Sequence, residues 1–471
     1  MSLIFKRALA TAKSVVPPVK TVDVLIIGGG PAGLTLGASL KNSSITKDLK
    51  IELVEGFNLD PVKKFYDETP EHFTNRVVSL TPQTINFLEK TGSWKFIKQD
   101  RIQPYDSIVV TEGLSDAKIE FDHHSMATMV ENVNIQSSLY QRIKELEQES
   151  ELKSEDFGLN LRDNTRVEQI TKDETNQWPV VHLSTGEQIK TRLLVGADGF
   201  NSPVRKFSGI ESRGWFYNRF GVVATLKLEF PVFKYAGWQR FLPTGPIALL
   251  PLPDDNATLV WSQTVENSEM LTKIDSEIFI NLINAAFVLE DVDMQFYYKQ
   301  LNKGETEGLI EDIQWRINHA TQKYSDEQLE ENFPLKVVSI EENSRARFPL
   351  KLSHADSYVS ERIALVGDAA HTTHPLAGQG LNMGQMDVQS LVGAIEKGMQ
   401  RGLDIGNPLV LEPYWADRYP ENHLLLGVVD KLHKLYSIRS EPIVALRSFG
   451  LKAVNSMSLL KDFMIGKVSG K

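Results

Sequence analysis

The stretch TVDVLIIGGGPAGLTLGASL, residues 21–40, decides the fold. Past Asp23 it is wholly apolar to Ile27, the composition of a strand buried on both faces. It runs straight into GGGPAG (28–33), and an apolar helical pattern continues to Leu40. Strand, glycine turn and helix together form the context in which G-x-G-x-x-G binds a dinucleotide. Gly28 permits the turn, Gly30 lets backbone approach a pyrophosphate, and Gly33 allows close helix–strand packing. The next strand, KIELVE (50–55), ends in Glu55, 22 residues after Gly33 and placed to accept from ribose hydroxyls.

Two later stretches repeat the pattern of a strand ending in an acid beside glycine. RLLVGADGFNSPVR (192–205) places Asp198 at a strand end, with Ser202 and Arg205 after it; Asn201 or Ser202 would equally cap the following helix. RIALVGDAAHTTHPLAGQGLNMGQ (362–385) ends its strand at Asp368 and leads through Gly378, Gly380 and Gly384 into an apolar helix from Leu381. Glycines there let backbone approach a ligand, and the helix start offers unpaired N–H groups to negative charge. His371 and His374 have the spacing of a metal pair. No carboxylate or further histidine accompanies them in the loop, so the reading is against a metal. Arg76 and Gln136 lie beside short apolar segments; a surface salt bridge is the ordinary use of Arg76.

The totals set limits. A chain of 471 residues has room for two domains with substantial cores. A net charge of −10 and a pI near 5.6 argue against a nucleic-acid binder. The chain has no cysteine, which removes disulfides, thiolate metal sites and dithiol redox cycles. No apolar run approaches the roughly 18 residues of a membrane span. Residues 1–20 are basic and free of acids, either a mitochondrial presequence or a disordered basic tail.

The expected architecture is α/β. A Rossmann-like nucleotide-binding domain is formed by residues 21–214 and 348–407, with a β-rich substrate domain inserted at 215–347. A charged insertion lies at about 302–332 and a helical region at 408–471, whose first helix breaks near Pro420. The tail from Glu441 either packs on the body or lies on a membrane surface.

The three motifs in this order resemble the single-component flavin-dependent aromatic hydroxylases, the group with the 4-hydroxybenzoate hydroxylase fold. WQRFLPTGPIALLPL (238–252), ARFPLKL (346–352) and GDAAHTTHPLAGQGLNMGQ (367–385) resemble, within that group, the mitochondrial monooxygenases of ubiquinone biosynthesis. The resemblance implies FAD as cofactor, held by Gly28, Gly30, Pro31, Ala32, Gly33 and Glu55 at its ADP half. It implies Arg76 and Gln136 at the pyrophosphate and ribityl side. Asp198 and Arg205 would sit in the Asp-Gly motif, Asp368 would take a ribityl hydroxyl, and Gly380, Leu381 and Asn382 would approach the isoalloxazine ring, with Gly367, Ala377 and Gly378 also binding the cofactor. His374, Pro375 and Asn382 would line the reaction pocket. Arg240, Phe241 and Leu242 would meet substrate, although a structural salt bridge is an equal use of Arg240.

The implied reaction is attack of a flavin C4a-hydroperoxide, formed from O2, on a polyprenylated 4-hydroxybenzoate at ring carbon C5 or on the 4-aminobenzoate analogue. The implied partners are a mitochondrial ferredoxin with its reductase, other subunits of a ubiquinone-biosynthesis complex and the matrix face of the inner membrane. NADPH as donor, another ring position or an isoprenoid epoxidation remain open, as does a non-catalytic flavoprotein scaffold.

Overall fold

Strand Lys20–Ile27 occupies the centre of a mostly parallel sheet because its apolar residues are covered on both faces. The computed structural model describes residues 19–150, 157–231, 235–373 and 378–456, with the side chains of 123, 124 and 452–456 excepted. The expectations for residues 1–18, His374, Pro375, Ala377 and the tail from Met457 onward lie outside the described residues.

Among the described residues the first sheet runs Val359–Ser360, Ile363–Leu365, Gln188–Gly196, Lys20–Ile27, Ile51–Val54, Leu159–Arg162. The four pairings from Ile363–Leu365 through to Leu159–Arg162 are parallel. Helix Pro31–Asn42 covers the sheet with Leu34, Leu36, Ala38 and Leu40 buried. Adjacent strand ends bring the glycine turn, the Asp198 loop and the Asp368 loop to one edge, where open parallel sheets bind ligands.

The second sheet is largely antiparallel and is not confined to 215–347. It also takes Val77–Leu80, Gln103–Glu112, Lys118–Glu131, Ala346–Ala355 and His371–Thr372. Strand Ala236–Leu242 pairs in parallel with Gln103–Glu112, a contact between distant parts of the chain that local composition does not encode. One face of this sheet is buried under helices Val265–Lys273, Ser276–Val288 and Asp291–Asn302, around Trp261, Phe279 and Tyr297. The charged insertion forms helices Leu309–Thr321 and Asp326–Asn332, and Leu309 and Ile313 anchor it to that core.

Helix Pro408–Tyr436 is continuous and contains both Pro413 and Pro420, so the expected break is absent. An interior proline costs about 3 kcal/mol. Here Tyr414, Arg418, Asn422 and Leu426, each four residues from the next, form a buried stripe that offsets it. Helix Glu441–Ser456 follows and is fastened to the second sheet by a fully buried Arg447–Glu112 ion pair at 2.7 Å.

Candidate active site

The glycine turn is built as its spacing predicts. Gly28 has φ +112°, and a Cβ on it would sit 2.2 Å from the Ala197 carbonyl oxygen. A Cβ on Gly33 would sit 1.9 Å from the Gly28 oxygen, whereas one on Gly30 would meet nothing within 4 Å. Open space therefore faces Gly30, the N-cap of helix Pro31–Asn42, whose first N–H groups have no side-chain cap. Glu55 is held rigidly over this loop. Its Oε2 accepts from the Gly29 N–H at 2.6 Å and its Oε1 from the Phe57 N–H at 2.8 Å. Gln136 Nε2 donates to the Gly29 oxygen at 3.0 Å. Arg76 is exposed, and among the described residues its guanidinium meets no carboxylate.

Asp198 stands at the next strand end. Its Oδ2 accepts from the Val204 N–H at 3.3 Å, while Oδ1 is buried without a partner among the described residues. Burial pushes its carboxyl up to about 6, against the Ser202 hydroxyl and nearby backbone N–H groups. Ser202 is the N-cap of helix Pro203–Ser208. Arg205 donates to the carbonyls of Ala369 and Phe200, both at 2.6 Å. These bonds latch this loop to the Asp368 turn.

Asp368 is open to solvent yet flanked by protein, and burial raises its carboxyl above the usual range while His371 opposes the shift. Gly367 at φ +59° packs against Ala32 and Gly384, which joins the two glycine loops. Helix Gly380–Gln400 starts here with no side-chain cap among the described residues and no acid in its first turn. Asn382, expected beside the isoalloxazine, has its side chain engaged elsewhere. Its Oδ1 accepts from the Thr81 N–H and the Thr84 hydroxyl, and its Nδ2 donates to the carbonyls of Ser79 and Gly378. It braces the helix start.

These features fit FAD. An open cradle at Gly30, an orphaned carboxylate oxygen on Asp198, an accessible acid in a crevice and an unpaired arginine match a ligand with phosphates and several hydroxyls.

The sequence reading missed a buried hub behind Gly367. Asp387 is fully buried, and its Oδ2 accepts from the Gly367 N–H at 3.1 Å and pairs with His371 Nε2 at 2.5 Å. Its Oδ1 accepts from Arg418 Nε at 3.2 Å and Asn422 Nδ2 at 3.0 Å. Despite the opposing penalty of burial, these partners hold its carboxyl below the usual range. Tyr358 extends the chain to His354, whose imidazole burial lowers to about 4. An acid inside an apolar helical pattern was the available signal.

Arg240, Phe241 and Leu242 alternate across their strand and do not converge. Arg240 donates to the Ala286 carbonyl at 3.0 Å on the helix-covered side, where burial lowers its guanidinium to about 10. Leu242 joins the same core, whereas Phe241 stacks on Tyr436 at 4.0 Å from the opposite face. That opposite face carries a row across neighbouring strands: Val110, Gln239, Ala248, Val260 and Val223 in register. Apart from buried Val110, the row is half-buried. Tyr105 bonds Ser79 at 2.6 Å, and Asn382 holds the Ser79 carbonyl, so this sheet and the start of helix Gly380–Gln400 meet.

A family model described as "FAD binding domain" matches residues 21–301 and 310–404. The chain is 55% identical to the Saccharomyces cerevisiae protein "Ubiquinone biosynthesis monooxygenase COQ6, mitochondrial", over 99% of this chain and 97% of that protein. It is 36% identical to the human protein of the same name, over 93% and 91%. Among solved structures, Pseudomonas aeruginosa pqsL, "a probable FAD-dependent monooxygenase", superposes with a TM-score of 0.64 at 20% identity, covering 92% of this chain and all of that one. The p-nitrophenol 4-monooxygenase PnpA of Pseudomonas putida gives 0.65 at 15% identity, covering 96% and 99%; both show likeness of fold. On the family match and on relatives alike along almost its whole length, the chain belongs to the FAD-dependent monooxygenases of ubiquinone biosynthesis.

Proposed function

We propose that this flavin monooxygenase hydroxylates ring carbon C5 of a 3-polyprenyl-4-hydroxybenzoate, or of its 4-aminobenzoate analogue, in mitochondrial ubiquinone biosynthesis. The observation that carries the reading is the half-buried, mainly apolar row on the second sheet, a sheet joined to the start of helix Gly380–Gln400 through Tyr105, Ser79 and Asn382. A prenylated ring needs an apolar wall, and Gln239 is a polar handle within that wall.

Bound FAD supplies the oxygen chemistry. The chain's own groups bind, orient and exclude water. Glu55 accepts from the ribose, Arg76 neutralises pyrophosphate, and Asp198 and Asp368 accept from ribityl hydroxyls. The uncapped start of helix Gly380–Gln400 favours negative charge at the flavin ring. The apolar sheet face keeps water from the reacting carbon.

The electrons come from a mitochondrial ferredoxin and its reductase, and the protein works in a biosynthetic complex on the matrix face of the inner membrane. Among the described residues no helix is long and apolar enough to cross a membrane. Peripheral attachment is supported by Leu424, Val428, Leu432 and Leu435, exposed along helix Pro408–Tyr436, and by exposed Leu446 and Phe449 on the next helix.

The test is anaerobic reduction of the FAD-loaded protein, with NADPH compared against a ferredoxin system, each with and without prenylated 4-hydroxybenzoate. Fast bleaching by ferredoxin and a C5-hydroxylated product on admitting air are expected. Fast bleaching by NADPH, stimulated by substrate, would overturn the donor assignment. Absence of the C5 product with either donor would overturn the substrate assignment.

A further inference from the structure

A second concavity lies apart from the flavin crevice and shares none of its residues. It is a groove of about 670 Å³ between strand Ser212–Leu228, helices Val265–Lys273 and Asp291–Asn302, and the turn after helix Pro408–Tyr436. Four cations line it, Arg219, Lys299, Lys303 and Arg439, against one carboxylate, Glu266. Such a local excess is notable in a chain of net charge −10.

Arg219 is the unusual member. It is half-buried, and among the described residues its guanidinium meets the Thr244 carbonyl and no carboxylate. Burial lowers its basicity, and the charge of Arg439 adds to the effect. A desolvated cation facing like charge is destabilising unless an anion joins it. Arg439 has an internal partner, Asp291 at 3.2 Å, and Lys303 lies 3.9 Å from Glu305. Lys299 has neither hydrogen-bond nor ion-pair partner among the described residues. The floor is polar and preformed. Tyr298 accepts from Gln263 Nε2 at 2.8 Å, and buried Thr244 and Asn267 lie beside it.

Cations from three separate elements converging over a hydroxyl and amide floor suit phosphate oxygens, which accept forked bonds from arginine and point charge from lysine. The volume lies within the roughly 300–1,000 Å³ of small-molecule sites. We propose that this groove is an anion site for a ligand carrying phosphate groups, with Arg219 as its half-buried anchor and Lys299 and Lys303 as its outer contacts. The phosphate belongs either to a free small molecule or to a lipid headgroup, and these two sources are separated by experiment.

The FAD-loaded full chain is titrated calorimetrically with inorganic pyrophosphate at low and at physiological salt. In parallel it is floated with vesicles of phosphatidylcholine, with or without phosphatidic acid. Two variants are compared: Arg219→Gln, and the exposed pair Lys299→Glu with Lys303→Glu, which leaves the core untouched. Saturable pyrophosphate binding, weakened at least roughly tenfold by the lysine pair with the flavin spectrum unchanged, supports a free phosphate ligand. Flotation that requires phosphatidic acid and is lost in the same pair supports a headgroup. If neither pyrophosphate nor phosphatidic acid binds, or if binding is the same in the lysine pair as in the parent, the proposal is overturned.

Discussion

Asp198 is an acid held where its charge is disfavoured, since one carboxylate oxygen is buried without a partner. Its folded carboxyl titrates near 6 against an ordinary 3.8. The folded state therefore binds the proton more tightly than the unfolded chain does. The sign follows from linkage: the penalty is absent below pH 4, grows as pH rises and is complete above pH 6. Asp198→Asn removes the penalty, so thermal unfolding of the flavin-free protein should shift upward at pH 8 and stay unchanged at pH 4. The same variant should bind FAD more weakly, because a carboxylate acceptor is lost; fluorescence titration of the flavin-free protein reads this. Gly33→Ala is the steric counterpart. Its Cβ would lie 1.9 Å from the Gly28 oxygen, so the turn must open, and the purified protein should lose its yellow colour. Both residues were legible in the sequence because their constraint is local: a turn needs glycine, and a strand end presents the acid. Arg205 and Asn382 were legible in position but not in use. Their hydrogen bonds reach Ala369 and Ser79, partners far along the chain that no spacing rule names.

At the scale of elements, helix Pro408–Tyr436 is coupled to the flavin loops through Asp387. Arg418 and Asn422 hold one carboxylate oxygen while the Gly367 N–H and His371 hold the other. Asp387→Ala takes from buried Arg418 its buried carboxylate, leaving it only the exposed Glu421. It should cost about 3–5 kcal/mol in denaturant unfolding and weaken FAD binding. Pro420→Ala should act in the opposite direction. Pro420 is exposed within a continuous helix, so restoring an N–H there should raise stability by about 1–3 kcal/mol. The expected break at Pro420 was a fair local inference. It failed because Tyr414, Arg418 and Asn422 bond to Leu365, Asp387 and Tyr358, partners outside the helix that hold it straight through the proline. The second sheet was incompletely legible for a similar reason. Strand alternation was visible, but the pairing of Ala236–Leu242 with Gln103–Glu112 decides which face Arg240 and Phe241 occupy.

At the scale of the whole molecule, two sheets and a C-terminal clamp divide the work. The parallel sheet gathers the glycine and acid loops, the second sheet offers its apolar face, and the last two helices close over the Phe241 side. Arg447→Met would leave Glu112 buried and unpaired. It should release helix Glu441–Ser456, read as faster hydrogen exchange there while the parallel sheet keeps its protection. We propose that this arrangement transfers oxygen to a prenylated phenol. The measurement that tests it most directly is turnover under 18O2 with 3-polyprenyl-4-hydroxybenzoate and ferredoxin-derived electrons, followed by mass spectrometry of the product. One labelled oxygen at C5 of the ring is expected. Flavin reoxidation to hydrogen peroxide with no label in the ring would contradict it.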